Sequence, residues 1–258
     1  MYKKIIVGLL ITAIILAFPV RLFNLPVSLE LILKAVKGII YITIILFLVK
    51  RENLTNDFHS FFFKSRSVLL KLLPVFCLLI LYIILNKEKL FKLDVSITNT
   101  VLGLSLVSTF ILALAEEIFF RGYLYNLLKR KYSIYKSVIV SSILFAFIHI
   151  VNIFRYGDLW SIMNQMLFAM ALGMLLCSVY ALTKNILLVG LMHFIINIPA
   201  SISNLNSTVI NVTGIINETD LVENVMSTLF FIALMLPIFM LSFYYIKVVN
   251  KANQNKYP

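Results

Sequence analysis

Cysteine is scarce in this sequence, with only Cys77 and Cys177 in 258 residues. Both lie inside apolar segments, where a cysteine behaves as a small hydrophobic side chain. This placement argues against a disulfide framework and against a cysteine-based metal site. A secretory cleavage site is also lacking, because no small-residue motif follows the basic and then apolar N-terminal stretch KKIIVGLLITAIILAF. We therefore expect the first apolar segment to remain in the protein.

Acidic residues are few as well, 11 against 23 lysines and arginines, which gives a formal net charge of +12. Such a charge can indicate nucleic-acid binding, but here the basic residues lie mainly between apolar segments, as the positive-inside rule requires. We therefore predict no nucleic-acid partner. With the N-terminus inside, 14 lysines and arginines fall on cytoplasmic segments and 5 on outer loops. We expect a multi-pass protein of a bacterial plasma membrane with both termini in the cytoplasm.

Hydrophobic residues, by contrast, make up 61% of the chain, and the mean hydropathy is +0.99. Several windows of about 18 or more apolar residues are long enough to cross a bilayer as helices. The predicted spans number about eight: 4–20, 29–49, 68–86, 96–117, 134–151, 162–182, 185–203 and 227–248. Short loops join them, and no internal repeat is found. We predict an all-α polytopic membrane protein, with residues 1–258 forming a single membrane domain in contact with the lipid bilayer.

Polar side chains interrupt the bundle mainly after the third predicted span, at Glu116, Glu117, Arg121, His149, His193 and Asn197. A charged group at membrane depth costs several kcal/mol, so it usually faces a polar cavity and has a function. Glu117 and Arg121 are spaced to pair on one helical face. Glu116 is offset from Glu117 by about 100° and can face a cavity instead. The alternative is that all six are ion pairs and hydrogen bonds that hold the helices together. On the predicted topology the site lies in the cytoplasm-proximal half of the bundle, at the end of the fourth span.

Three short motifs contain these residues. EEIFFR fits E-E-x-x-x-R, FAFIH fits F-x-x-x-H and HFIIN fits H-x-x-x-N. In order and separation they resemble the motifs of the CAAX protease and bacteriocin-processing enzyme family, called CPBP or Abi, of intramembrane endopeptidases. The resemblance covers about residues 100–200, which we expect to form the catalytic core.

The resemblance implies that a glutamate-activated water hydrolyses a peptide bond near the membrane, in a membrane-associated peptide or protein substrate. Glu116 would be the general base, and His149 would help it to hold and activate the water. Glu117 and Arg121 would order the site. The eukaryotic relatives remove the last three residues of prenylated CAAX proteins.

The same resemblance implies an oxyanion site on the seventh span. Asn197 would donate through its side-chain amide and His193 through a ring N–H, to the charge that develops on the substrate carbonyl. Phe145, four residues before His149, is expected to form a wall of the substrate pocket.

Zinc dependence is one alternative for the mechanism. Glu116, His149 and His193 would supply two histidines and one carboxylate, a set found in zinc enzymes. The H-E-x-x-H sequence that is typical of such enzymes is absent, and the two histidines are 44 residues apart on separate spans. We therefore predict catalysis without a metal or other cofactor. Ser141 and Ser142 are poor nucleophile candidates, because serines in membrane helices usually bond to a backbone carbonyl.

Two further alternatives are not enzymes. One is a membrane protein for bacteriocin self-immunity or regulation, a role taken by family members that have often lost a catalytic residue. The other is a transporter with a proton relay of acids and histidines. All the motif residues are present here, which favours activity, and the internal repeat typical of transporters is not found.

Overall fold

The structure is a computed structural model that describes residues 1–17, 25–54, 66–91, 97–153, 159–209 and 221–254. Within these ranges all regular secondary structure is helical, which confirms the predicted all-α fold. The helices are α1 Tyr2–Ala17, α2 Val27–Arg51, α3 Arg66–Lys71, α4 Leu73–Leu85, α5 Lys87–Phe91, α6 Asn99–Lys129, α7 Ile134–Ile148, α8 Leu159–Thr183, α9 Ile186–Val209 and α10 Leu221–Gln254. A 3₁₀ turn, His149–Asn152, continues α7.

Five helices of the described ranges are long and apolar enough to cross a membrane: α2, α6, α7 with its 3₁₀ turn, α8 and α9. The bounds of all but α6 follow the predicted spans within a few residues, and the five helices confirm a polytopic membrane protein. The predicted third span is divided at Leu72 into α3 and the apolar α4, which has only 13 residues. The count of eight spans, the single domain and the orientation of the termini stay predictions.

Helix α6 differs from the predicted fourth span, because it does not end at Glu117. It continues through eight residues of π-helix, Ile118–Tyr125, and a last α-helical turn, Asn126–Lys129. All eight residues of the π segment are buried. The only charge among them, on Arg121, is paired, so nothing in the segment requires the helix to leave the bundle. Glu116 is therefore the eighteenth residue of a 31-residue helix and lies near its middle.

The basic run NLLKRKYSIYK forms the connection between α6 and α7. Helix α6 ends at Lys129, and α7 begins at Ile134 after a short turn. The hydroxyl of Ser133 accepts from the backbone N–H of Lys136 and caps the new helix. The run thus contains the end of α6, a turn over residues 130–133 and the start of α7.

The bundle is built around α6, which packs against α2 and α9, while α8 packs against α7 and α10. A glycine allows one of these close approaches. A Cβ added to Gly190 of α9 would lie 2.8 Å from Cδ1 of Leu114 on α6. Beside it, Phe110 and Phe194 meet edge to face with ring centroids 5.5 Å apart. This tight contact places the polar residues of α9 next to the carboxylates of α6.

Candidate active site

A cavity of about 280 Å³ lies between α2, α6, α7, α8 and α9. Four predicted site residues line it: Glu116 of α6, His149 at the end of α7, and His193 and Asn197 of α9. Other polar side chains on its wall include Glu30, Lys34, Ser105, Ser201, Asn152 and Gln165. Segments that are distant in sequence thus contribute Glu116, His149, and His193 with Asn197 to one space inside an apolar bundle.

The two adjacent carboxylates have different surroundings. The Glu116 side chain lines the cavity and is 16% exposed, whereas the Glu117 side chain is fully buried. Oε1 of Glu117 lies 2.8 Å from Nη1 of Arg121, one turn further along α6. The predicted division, with one acid facing a cavity and the other paired with Arg121, is confirmed.

Arg121 is held from three sides. Its Nη1 donates to Glu117 and its Nη2 donates to the carbonyl of Gly173 on α8, at 3.1 Å. The guanidinium carbon lies 4.6 Å from the ring centroid of Phe145, a cation–π distance. The residue is completely buried, so these contacts provide its charge compensation inside the bundle. It sits in the π segment of α6, and short π segments occur frequently at functional sites.

His193 connects the two carboxylates across the helix interface. Its Nδ1 lies 2.8 Å from Oε1 of Glu117, and its Nε2 lies 3.9 Å from Oε2 of Glu116. An ionised carboxylate only accepts hydrogen bonds, so Nδ1 of His193 is the protonated nitrogen by assignment. Nε2 is therefore the atom that faces Glu116, either as an acceptor or, when the ring carries both protons, as a donor.

His149 is oriented by its own helix. Its Nδ1 lies 2.8 Å from the carbonyl oxygen of Phe145, four residues earlier. Because a carbonyl oxygen only accepts, the assigned proton is again on Nδ1. The 3₁₀ turn that begins at His149 follows directly. Nε2 is the nitrogen that can accept a hydrogen bond in the neutral ring.

Phe145 does not have the expected place in a pocket wall. It is 1% exposed and is not among the residues that line the cavity. Its ring instead meets His149 and His193 edge to face, with centroids 5.0 and 5.7 Å away, and it also contacts Arg121. The helical spacing correctly puts Phe145 on the face of His149. Helix α8 and the guanidinium of Arg121 cover the Phe145 ring, so the ring faces the interior of the bundle. There it packs against the rings of both histidines.

The serines of α7 behave as expected for membrane helices. Ser141 donates to the carbonyl of Phe120, and Ser142 donates to the carbonyl of Val138. Both hydroxyls are buried and neither lines the cavity. The expectation that they are not nucleophiles agrees with these contacts.

Sequence reasoning did not assign the part of the cavity wall that α2 and the hydroxyl groups of α6 and α9 form. Glu30 and Lys34 of α2, four residues apart, form an ion pair of 2.7 Å on this wall. The hydroxyl of Ser201 lies 2.8 Å from that of Ser105 and 2.9 Å from that of Thr109. The charges of Glu30 and Lys34 within a predicted span could have pointed to the contribution of α2. The cluster of Ser105, Thr109 and Ser201 hydroxyls could not be predicted from the sequence, because it forms only where α6 and α9 pack together.

A zinc ion was considered at this site, so the donor set was tested against the geometry. In the described part of the chain, no three histidine, cysteine, aspartate or glutamate side chains are grouped closely enough to hold a metal ion. Nδ1 of His193 is engaged by Glu117, and Nε2 lies 3.9 Å from Oε2 of Glu116. Whether catalysis needs a metal stays a prediction.

The comparisons with known proteins concern the same part of the chain. Residues 98–199 match a family model described as type II CAAX prenyl endopeptidase, Rce1-like. The matched segment runs from the start of α6 into α9 and includes every predicted site residue. Searches of curated proteins and of solved structures each found no match. Residues 98–199 are therefore similar to the Rce1-like type II CAAX prenyl endopeptidases, which confirms the family resemblance predicted from the three motifs.

Proposed function

We propose that this protein is an intramembrane endopeptidase in which Glu116 activates a water for attack on a peptide bond. One observation carries the proposal. Glu116, His149, His193 and Asn197 line a single cavity, while Glu117 and Arg121 lie buried behind it. The family match over residues 98–199 supports a membrane peptidase.

The water is held between the carboxylate of Glu116 and Nε2 of His149. Nδ1 of His149 is engaged by the Phe145 carbonyl, so Nε2 of the neutral ring accepts a hydrogen bond from one proton of the water, and this proton stays on the water oxygen. Glu116 accepts the other as the water oxygen attacks the carbonyl carbon, which is the work of a general base. The protonated Glu116 then delivers this proton to the leaving amine. Hydrolysis of the peptide bond thus needs no covalent bond between the enzyme and the substrate.

The developing oxyanion is stabilised from α9. The amide N–H of Asn197 and Nε2–H of His193, when the ring carries both protons, donate to it. Both residues lie on one face of α9, because they are four positions apart. Glu117 fixes the rotation of the His193 ring through its bond to Nδ1. Arg121 compensates the charge of Glu117, so this carboxylate is held away from the reacting water.

The substrate is a membrane-associated peptide or protein. The polar wall of the cavity can pair the backbone groups of an extended peptide, which need partners when no bulk water is present. The family description supports a CAAX-type substrate, and a bacteriocin leader peptide is the alternative within the same reaction class. A non-catalytic role in bacteriocin self-immunity is a second candidate function, and it requires the same residues to serve packing alone.

The experiment uses purified protein reconstituted in liposomes. A panel of peptides is supplied: a farnesylated CAAX peptide, its unprenylated form and a peptide with a bacteriocin-type leader. Products are identified by mass spectrometry. Hydrolysis by wild type at a single bond in any of the three, and loss of it in Glu116→Ala, supports the proposal.

A matched control is Ser242→Ala, which removes a buried hydroxyl on α10 outside the cavity and leaves the acid and both histidines intact. It is expected to retain hydrolysis within about tenfold, since it removes no proton-transfer group. Absence of hydrolysis of the whole panel by well-folded wild type would favour the non-catalytic candidate. Equal hydrolysis by Glu116→Ala and wild type would reject the assignment of the base.

A further inference from the structure

A side chain outside the three motifs holds the part of α6 that follows the carboxylates. Nδ2 of Asn126 donates to the carbonyls of Arg121, at 3.2 Å, and Gly122, at 2.9 Å. It also lies 2.9 Å from the hydroxyl of Tyr180 on α8. Asn126 is 2% exposed and Tyr180 is fully buried. Two carbonyl oxygens surround Nδ2, and carbonyls only accept, so the orientation of this amide is defined.

These bonds lie where the helix changes its geometry. The π segment ends at Tyr125, and α-helix resumes at Asn126. A change from i→i+5 to i→i+4 hydrogen bonding interrupts the regular backbone pattern at the junction. Buried carbonyls need partners there, and the Asn126 amide supplies them for two. The side-chain amide of Asn126 therefore pairs two backbone carbonyls near the end of the π segment.

Helix α8 holds the same segment at a second point. Arg121 donates to the carbonyl of Gly173, and Asn126 meets the hydroxyl of Tyr180. Gly173 and Tyr180 are seven residues apart, which places them on one face of α8 about two turns from each other. The two contacts fix both the rotation and the height of the π segment against α8. They consequently fix the guanidinium that pairs with Glu117.

We propose that Asn126, oriented by Tyr180, is a positioning residue of the active site. Its hydrogen bonds hold the π segment in place, and the π segment in turn positions the guanidinium of Arg121. Arg121 and His193 together position Oε1 of Glu117. The proposal builds on the proposed function, but its geometric part does not depend on proteolysis. Asn126 itself touches neither the cavity nor the reacting atoms.

The direct test is the Nδ1 proton of His193, observed by NMR in ¹⁵N-labelled protein in micelles. A proton shared with a carboxylate at 2.8 Å gives a low-field resonance, and its loss in His193→Asn assigns it. Asn126→Ala is expected to shift this resonance upfield or abolish it. Ser242→Ala is the matched control, because it deletes a buried hydroxyl that donates to a helix carbonyl, Ile238, on α10. It is expected to leave the resonance unchanged.

The kinetic test uses whichever peptide of the panel is hydrolysed. Asn126→Ala is expected to lower kcat about 10- to 100-fold with KM within about twofold, since a shift of about 1 Å in a catalytic group has effects of this size. Asn126→Ser is expected to recover part of kcat, because a serine hydroxyl can donate to the carbonyl four residues earlier. Tyr180→Phe keeps both carbonyl bonds and is expected to have a smaller effect.

The outcomes separate this proposal from the proposed function. An unchanged His193 resonance and unchanged kcat in folded Asn126→Ala would overturn the role of Asn126 while leaving the peptidase intact. If Asn126→Ala does not fold, the His193 resonance and kcat of Asn126→Ser and Tyr180→Phe test the role of Asn126 instead. If wild type hydrolyses no peptide, the proposed function fails, and the resonance still tests the positioning.

Discussion

Oε1 of Glu117 lies 2.8 Å from Nδ1 of His193, a residue 76 positions later in the chain. The same oxygen also accepts from Arg121 of its own helix. One fully buried oxygen atom therefore joins α6 to α9 and relates the base-bearing helix to the proposed oxyanion site.

Removal of the buried carboxylate is expected to destabilise the protein. Glu117→Ala leaves the guanidinium of Arg121 buried without its carboxylate, a change that typically costs about 3–5 kcal/mol. Thermal unfolding in detergent measures it. The control is Glu52→Ala, which removes a Lys4–Glu52 pair whose lysine side chain is 52% exposed, and such pairs contribute about 0–1 kcal/mol. Equal melting temperatures for Glu117→Ala and wild type would contradict the pairing.

Gly173→Ala is expected to disturb the support beneath the site. The added Cβ would lie 3.1 Å from Cδ1 of Phe145 and 3.2 Å from Cβ of Ser142, so α7 and α8 have to separate slightly. Overpacking of this kind costs about 1–3 kcal/mol, and it moves the carbonyl that binds Arg121. We expect a lower melting temperature and reduced hydrolysis.

Gly103→Ala provides the comparison for that change. A Cβ at Gly103 of α6 meets no atom within 4 Å, so the substitution adds only helix propensity. The melting temperature should stay constant or rise, because alanine is favoured over glycine in a helix by about 1 kcal/mol. A similar loss of stability in both variants would show that packing at Gly173 is not the cause.

The connection between α6 and α7 is expected to face the cytoplasm. The reason is the excess of lysine and arginine on that side of the predicted topology. A cysteine at Arg130, in a variant with Cys77 replaced by serine, should resist a membrane-impermeant maleimide added to intact cells. A cysteine at Lys89 on α5 should react. The reverse labelling pattern would invert the topology, and Cys177 is buried and should not interfere.

Asn197→Asp separates a hydrogen-bonding site from a metal site. The substitution keeps the shape but replaces an amide donor with a negative charge beside the developing oxyanion, so we expect about a 100- to 1,000-fold loss in kcat. In a zinc scheme the new carboxylate could bind the ion and preserve activity. Wild type should also keep its activity after exhaustive chelation. Activity that is lost on chelation and restored by zinc would require a metal mechanism.

The sequence predicts the membrane class and most of the site, for a physical reason. Charges and histidines at membrane depth are costly, so Glu116 and His193 stand out in an apolar chain and helical spacing assigns their faces. The π segment could not be predicted, because it depends on contacts between Asn126, Arg121 and a carbonyl of α8. The same contacts carry α6 past its predicted end at Glu117. Spacing also could not show that Phe145 turns under the histidines, because covering by α8 is a tertiary effect.

The central claim is that Glu116 is the general base, and Glu116→Gln tests it most directly. Glutamine keeps the size of the side chain in the cavity and removes its ability to accept the proton of water. The measurement is kcat/KM for the hydrolysed peptide in liposomes, together with the melting temperature of the purified variant. We expect a fall of about 10²–10⁴-fold in kcat/KM with a melting temperature close to wild type. A folded Glu116→Gln protein with wild-type kcat/KM would contradict it.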